Sequence, residues 1–129
     1  MTLVIKGKLP GLNEYIDACR REPRLGNRMK REAEETVIWS AKASIRGKIP
    51  TPCVMRYTFY EPNKRRDLDN ISGFGHKVVQ DALVKAKYLP GDGWAHIAGI
   101  ADDFKIDRTN PRIEVTFEEV NDENNRTGG

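Results

Sequence analysis

Two aspartates separated by one residue, Asp67 and Asp69, are the strongest chemical feature of this 129-residue chain. In an extended segment, side chains two residues apart project to the same side, so both carboxylates can reach one ion. A third carboxylate, Asp92, lies between Gly91 and Gly93, which allow a close backbone approach. Mg²⁺ prefers oxygen ligands and is held by a few carboxylates together with a substrate phosphate. The three aspartates are therefore candidate ligands of Mg²⁺, with Mn²⁺ as the alternative ion.

The same residues also have ordinary structural uses. Asp67 or Asp69 could cap a following helix, and Asp92 could form part of a glycine turn. Lys77 precedes Asp81 by four residues, the spacing of an ion pair along a helix surface. A lysine beside a metal site can instead stabilise the charge of a phosphoryl-transfer transition state. Residue types and spacing alone leave both interpretations open.

Histidine and tryptophan provide further candidates. His76 and His96 are too isolated in the sequence to form a zinc site, and we interpret both as structural. Trp39, Trp94 and the tyrosines can stack on bases, but most such aromatic residues are core or interface residues.

Charge is distributed unevenly along the chain. The net charge is +3; residues 1–66 hold 15 Lys and Arg against 7 Asp and Glu, a net +8, and residues 67–129 have a net charge of −5. A basic half indicates a polyanionic partner, because each neutralised phosphate releases counterions. Acidic side chains repel a polyanion, and they assist its binding only where a divalent cation lies between the carboxylate and the phosphate. The predicted phosphate-binding residues are Arg20, Arg21, Arg24, Arg28, Lys30, Arg31, Lys64, Arg65 and Arg66.

Length and composition restrict the class of protein. The chain has the size of one domain, which we place at residues 1–120, and the polar residues 121–129 are expected to be a disordered tail. No run of 18 apolar residues and no signal-peptide pattern occurs, so we expect a cytoplasmic protein without a membrane partner. Cys19 and Cys53 have neither the number nor the spacing of a disulfide scaffold or a zinc site.

Hydrophobic periodicity predicts the elements that position these residues. Strands are predicted over Thr2 to Lys6, Cys53 to Tyr60, Ala95 to Ala101 and Arg112 to Glu118. Helices are predicted over Met29 to Ile45 and Ile71 to Ala86, although Gly73 and Gly75 disfavour the first turns of the second. Residues 11–26 contain glycine and proline breakers and are expected to form an irregular basic loop. The expected fold is α+β, a mixed sheet of about four strands with two helices in a single domain.

A longer motif surrounds the aspartates. It consists of Arg65-Arg66-Asp67-Leu68-Asp69-Asn70, of Lys77 with Asp81-Ala82-Leu83 four residues later, and of Asp92 in its loop. This combination resembles the RusA family of Holliday-junction resolvases, which are small, prophage-associated, homodimeric endonucleases. The resemblance covers residues 60–95, and the N-terminal half is similar mainly in element order and in its basic loop. It implies that Asp67, Asp69 and Asp92 bind Mg²⁺, that Lys77 is the catalytic lysine, and that the protein is a homodimer with one site per subunit.

The position of the lysine departs from the shortest pattern of that family, in which the lysine follows the second aspartate by four residues. Here that position is Gly73, so residues 71–76 are interpreted as an insertion and Lys77 becomes the candidate. In a continuous helix, Lys77 would lie about 80° around and about 12 Å along the axis from Asp69. A helix break at Gly73 and Gly75 would absorb this difference.

The carboxylates and basic residues predict Mg²⁺-dependent phosphodiester hydrolysis. The resemblance implies more specifically an endodeoxyribonuclease, a hydrolase that resolves four-way DNA junctions by paired symmetric nicks in recombination and repair. A noncatalytic DNA-binding module, or a degraded prophage copy that binds junctions without cutting, would use the same basic surface. The binding module would leave the three carboxylates unexplained. A nucleotide-sugar transferase with an Asp-x-Asp motif would also use Mg²⁺, but 129 residues are too few for its usual nucleotide-binding domain.

Overall fold

The computed structural model describes residues 1–120 and contains a four-stranded mixed sheet with three helices. In chain order the elements are β1 (Thr2–Lys6), α1 (Leu12–Arg21), α2 (Pro23–Ser44), β2 (Cys53–Glu61), α3 (Leu68–Lys85), β3 (Ile97–Ile106) and β4 (Arg112–Glu119). The expected α+β class and single small domain are confirmed, and the helix count of two is corrected to three. The expected tail, residues 121–129, lies outside the described residues. Within residues 1–120, no helix is both long and apolar enough to cross a membrane.

The strands form one sheet in the order β1-β4-β2-β3. β4 pairs antiparallel with β1 and with β2, whereas β2 pairs parallel with β3. A parallel pair needs a crossover connection, and α3 provides it between β2 and β3. This connection places the start of α3 beside the end of β2.

Side-chain alternation defines the core face of the sheet. Along β2, the odd-numbered residues from Cys53 to Glu61 are all buried, and the even-numbered residues are less so. The buried strand residues share one cluster with the apolar faces of α2 and α3; these strand residues are Leu3, Ile5, Cys53, Met55, Tyr57, Phe59, Ile113, Val115 and Phe117. Because the strand period is two, one face of the sheet packs on the helices and the other faces outward.

Residues 11–26, which we expected to be an irregular loop, form α1 and the first turn of α2. Pro23 begins α2 at the first helical position, where proline is favoured rather than disruptive. Gly26 lies inside α2 at a point where a Cβ would overlap Sγ of Cys19, so the glycine allows α1 and α2 to approach closely. The expectation was wrong because these residues shape the ends and the contact of two helices instead of breaking them.

α3 is continuous from Leu68 to Lys85, so the expected break at its two glycines does not occur. A Cβ on Gly73 would lie 3.0 Å from Cδ2 of Leu12, and one on Gly75 would lie 3.1 Å from Cε1 of Phe59. The glycines therefore mark close contacts of α3 with α1 and with β2. This packing offsets the helix propensity that each glycine loses, about 1 kcal/mol.

Candidate active site at the start of helix α3

Asp67 and Asp69 lie at the start of α3, where the chain leaves the segment that follows β2. Asp67 is the N-cap residue, with an extended backbone and no capping hydrogen bond from its side chain, while its carbonyl accepts the N–H of Ile71 at 3.1 Å. Asp69 lies in the first turn. Both side chains are exposed, and within residues 1–120 neither carboxylate has a hydrogen bond or an ion pair. Because both carboxylates are exposed and unpaired, both are available to a cation. Negatively charged side chains are also favourable at a helix N-terminus.

Asn70, the next residue of the motif, has a structural role. Its Oδ1 accepts the backbone N–H of Asn13 at 2.7 Å, which satisfies one of the free donors at the start of α1. The N-cap residue of α1 is Gly11, which has no side chain to do this, and a Cβ there would lie 2.7 Å from Nδ2 of Asn70. Asn70 thus fixes the start of α1 against the start of α3.

Arg66 is also structural. Its Nε and Nη2 donate to the two carboxylate oxygens of Glu61 at 3.0 and 2.9 Å, and its Nη1 donates to the carbonyl of Leu9 at 3.0 Å. Both charged side chains are largely buried. The guanidinium is therefore engaged within the protein, whereas the neighbouring Lys64 and Arg65 are exposed and free to contact phosphate.

Asp92 lies far from the other two aspartates within the chain. Its loop follows the C-terminus of α3, and the carbonyl of His96 in that loop accepts the N–H of Cys53 at 3.0 Å, at the start of β2. Asp67 instead follows the end of β2, and the 18 residues of α3 lie in between. Such a helix is about 27 Å long. Accordingly, the described residues contain no group of three or more His, Cys, Asp or Glu side chains able to hold a metal ion.

Lys77 lies on the solvent side of the continuous α3. Its Nζ is 3.4 Å from Oδ2 of Asp81, in the four-residue pair that the spacing predicts. Without a helix break, Lys77 remains about 80° around the helix from Asp69. The structure therefore does not bring the two residues together.

Asp81 also binds Lys30 of α2, with Nζ 2.8 Å from Oδ2. Burial by itself raises the pKa of Asp81, but the hydrogen bond and charge of Lys30, together with the charge of Lys77, lower it overall below its ordinary value. The same hydrogen bond raises the pKa of Lys30. Lys30 therefore links α2 to α3, and it is less available to phosphate than the exposed arginines nearby.

His76, which we interpreted from the sequence as structural, lies on α3, the helix that begins at the two aspartates. It lies seven residues, or two turns, after Asp69, so both project from the same side of α3. Its Nε2 is 2.7 Å from Oδ1 of Asp102 on β3, and its ring packs 4.6 Å from the ring centre of Tyr57. An imidazole oriented by a carboxylate can transfer protons. The seven-residue spacing between Asp69 and His76 could have indicated that they share one side of a helix. The pairing of His76 with Asp102 could not be predicted, because the two residues are 26 positions apart in the sequence.

Most of the predicted phosphate-binding residues lie on the hairpin of α1 and α2. Arg20, Arg21, Arg24 and Arg31 are exposed there, and Arg28 is exposed in a loose pair with Glu32, with 3.9 Å between Nε and Oε1. Helices hold these charges in fixed positions, unlike the loop that we expected.

The start of α3 combines two exposed carboxylates, two exposed basic residues and a His–Asp pair two turns along the helix. Carboxylates that hold a divalent cation beside phosphate-binding groups are typical of metal-assisted phosphodiester hydrolysis. No protein-family model and no curated protein sequence matches the chain. The functional conclusion therefore rests on these residues, their geometry and the resemblance of the motif.

Proposed function

We propose that the protein is a Mg²⁺-dependent, structure-selective endodeoxyribonuclease that resolves four-way DNA junctions by paired symmetric nicks in recombination and repair. The observation that carries the proposal is the pair of exposed carboxylates, Asp67 and Asp69, at the start of α3 beside Lys64 and Arg65. An acidic pair next to phosphate-binding residues is favourable when a divalent cation lies between them. Mn²⁺ is the alternative ion.

The proposed chemistry is in-line attack of water on a phosphodiester. Asp67 and Asp69 hold the ion, which when bound polarises a non-bridging oxygen and lowers the pKa of a water. Lys64 and Arg65 position the DNA backbone without reading its sequence. Lys77 is the proposed catalytic lysine; its exposed position suits contact with the phosphate better than contact with Asp69.

A homodimer accounts for the position of Asp92. Because Asp92 lies beyond one end of α3 and Asp67 caps the other, one chain does not bring them together. In a two-fold dimer with antiparallel α3 helices, the partner's Asp92 lies beside Asp67 and Asp69. We therefore include in the proposal two composite sites per dimer, which suits two symmetric nicks on opposing strands of a junction.

The experiment that tests the function is cleavage of a synthetic, end-labelled four-way junction beside a linear duplex of the same sequence, with Mg²⁺ or EDTA. We expect paired nicks on the junction alone that require Mg²⁺ and disappear in Asp69→Asn. Asp17→Asn is the matched control, since Asp17 is exposed on α1 and makes no ion pair within the described residues. Tight junction binding without cutting in any divalent metal would favour the noncatalytic binding protein, and no junction preference would reject both.

A mixing experiment tests the composite site. Each of Asp69→Asn and Asp92→Asn is expected to be inactive alone. In a mixed dimer, the Asp92→Asn chain supplies intact Asp67 and Asp69, and the Asp69→Asn chain supplies an intact Asp92, so one site becomes whole and a single nick returns. The control mixture of Asp67→Asn with Asp69→Asn leaves both sites damaged. Failure of the first mixture to nick, with mixed dimers present, would place the site within one chain.

A further inference from the structure

β3 has an uncovered side. It is an edge strand, next to β2. Its parallel register with β2 places four residues on the sheet face where the helices cover the other strands: Ile100, Asp102, Phe104 and Ile106. Ile100 and Ile106 are 46% and 43% exposed, whereas Met55, the β2 partner of Ile100, is fully buried. Exposed apolar groups along a strand beside a helix indicate an interaction surface. We call the surface formed by Ile100, Phe104 and Ile106 the β3 strip.

A pocket lies at the end of the β3 strip next to Asp67. Its volume is about 340 Å³, and its apolar walls come from Leu68 and Ile71 of α3 and from Phe104 and Ile106 of β3. Leu68 at its mouth is 55% exposed. The pocket is large enough to receive one aromatic ring system.

Trp94 lies at the other end of the β3 strip, in the loop that precedes β3. It is 98% exposed, the most exposed large hydrophobic side chain of the described residues. An indole carries a large apolar surface, about 150 to 250 Å², so leaving it in water is costly unless a partner covers it. Trp94 cannot fill the pocket of its own chain, because the ten residues of β3 lie between them, a span of about 33 Å.

We propose that Trp94 of each subunit inserts into the pocket beside Asp67 of a second copy, so that the β3 strip forms the interface of a two-fold dimer. Since the tryptophan and the pocket lie at opposite ends of β3, a two-fold axis near the middle of β3 allows both insertions at once. Such self-complementarity is what an isologous interface requires. The two indoles contribute about 300 to 500 Å² toward the roughly 1,600 Å² of a stable interface, and the β3 strip contributes to the rest.

The charges of the Trp94 loop and of the pocket rim also favour a second copy of the chain as the occupant of the pocket. The loop of residues 91–96 carries one formal charge, the carboxylate of Asp92, whereas the pocket rim carries three basic residues, Lys64, Arg66 and Lys105, against the two acidic residues Glu61 and Asp67, a net charge of +1. Insertion of Trp94 brings the partner's Asp92, two residues before it, toward this basic rim and toward Asp67. The inference rests on the homodimer of the proposed function, and it identifies the surface and the anchor of that dimer.

The test is the dimer dissociation constant, measured by sedimentation equilibrium for the full chain. Trp94→Ala is expected to raise this constant at least 30-fold, because a buried tryptophan anchor is typically an interface hot spot. Trp39→Ala is the matched control, since Trp39 is 71% exposed on α2 and away from the β3 strip; it is expected to leave the constant unchanged. A monomeric wild type, or a Trp94→Ala protein that dimerises like wild type, would overturn the proposal.

Fluorescence locates the indole directly. In the variant Trp39→Phe, Trp94 is the only tryptophan; its emission is expected to be blue-shifted at dimer concentrations and red-shifted after dilution. A dimer whose Trp94 emission remains that of an exposed indole would overturn the proposal. The interface and the chemistry are separable, because Asp69→Asn is expected to dimerise like wild type. A fully dimeric wild type with no nuclease activity would reject the proposed function and leave the Trp94 interface intact.

Discussion

Within the segment Arg66 to Asn70, neighbouring residues have opposite roles. Arg66 and Asn70 make internal contacts that fix the loop before α1 and the start of α1, whereas Asp67 and Asp69 between them are exposed and unpaired within residues 1–120. The structural residues hold the start of α3 in place, and the exposed ones are free for a ligand. A short motif can therefore contain both structural residues and candidate ligand-binding residues, and only their contacts in the folded chain distinguish them.

Arg66→Met is expected to lower the free energy of unfolding by about 3 kcal/mol, because it leaves the buried carboxylate of Glu61 without its partner. Urea denaturation at neutral pH measures this. The neighbouring change Arg65→Met is the control, and we expect it to weaken junction binding while stability stays within about 0.5 kcal/mol of wild type. Equal stability of the two variants would contradict the structural role of Arg66.

Lys77→Met tests the proposed catalytic lysine. Lys77 is exposed and paired only with Asp81 within the described residues, so we expect little loss of stability but at least a tenfold slower single-turnover cleavage of the junction. Lys87→Met, a change of an exposed lysine beyond the end of α3, is the control. Unchanged cleavage by Lys77→Met would remove Lys77 from the mechanism and leave His76, on the side of Asp69, as the candidate for proton transfer.

Between the helices, two ion pairs link α2 to α3. Lys30 and Asp81 are both mostly buried and lie 2.8 Å apart, one turn from the pair between Glu34 and Lys85. Glu34 is buried, and its Oε2 has no hydrogen-bond partner among the described residues. The polar contacts between these helices therefore depend on two lysines.

The Lys30–Asp81 pair predicts a pH dependence of stability. Because the pKa of Asp81 is lowered on folding, its contribution is present above its ordinary value of about 3.9 and disappears as pH falls through the lowered value. The pKa of Lys30 is raised, so its contribution is present below about 10.4 and disappears as pH rises through the raised value. Asp81→Asn should therefore cost about 1 to 2 kcal/mol near pH 7 and progressively less below pH 4. Urea unfolding at several pH values measures this, and a cost that did not shrink in acid would contradict the assignment.

In the complete fold, the helices cover β1, β4 and β2 but leave Ile100 and Ile106, on the helix side of β3, exposed. A second copy covers β3 in the proposed dimer. The basic hairpin of α1 and α2 then occurs twice per dimer, as two-fold recognition of a branched DNA requires.

Salt dependence tests the hairpin as a phosphate-binding surface. The logarithm of junction affinity is expected to fall linearly with the logarithm of salt concentration. Arg24→Gln should reduce the magnitude of that slope by about 1, because one arginine that neutralises one phosphate releases about one counterion. Arg56→Gln is the control, because Arg56 lies on the outer sheet face and pairs with Glu118. Equal slopes for Arg24→Gln and wild type would exclude Arg24 from the interface.

Local patterns in the sequence were enough to predict most of the secondary structure. A short apolar run predicted β1, alternation predicted β2 and β4, helical spacing predicted most of α3, and glycine and proline predicted the loop that holds Asp92. The same local rule failed over residues 11–26, because glycines and prolines there lie at helix ends and contacts and only packing reveals this. It also predicted β3 too short, because Asp102 and Asp103 interrupt the apolar pattern that marked the start of the strand.

The relative positions of the candidate residues depend on packing between elements that are far apart in the sequence. The tertiary structure separated Asp92 from Asp67 by the length of α3, paired His76 with Asp102, and buried Arg66 against Glu61. It also left Trp94 exposed at one end of β3 and a pocket at the other. The physical reason is that spacing along a chain reports only which way a side chain projects from its own element. Distances between elements are set by how their faces pack, and that depends on residues far apart in the sequence.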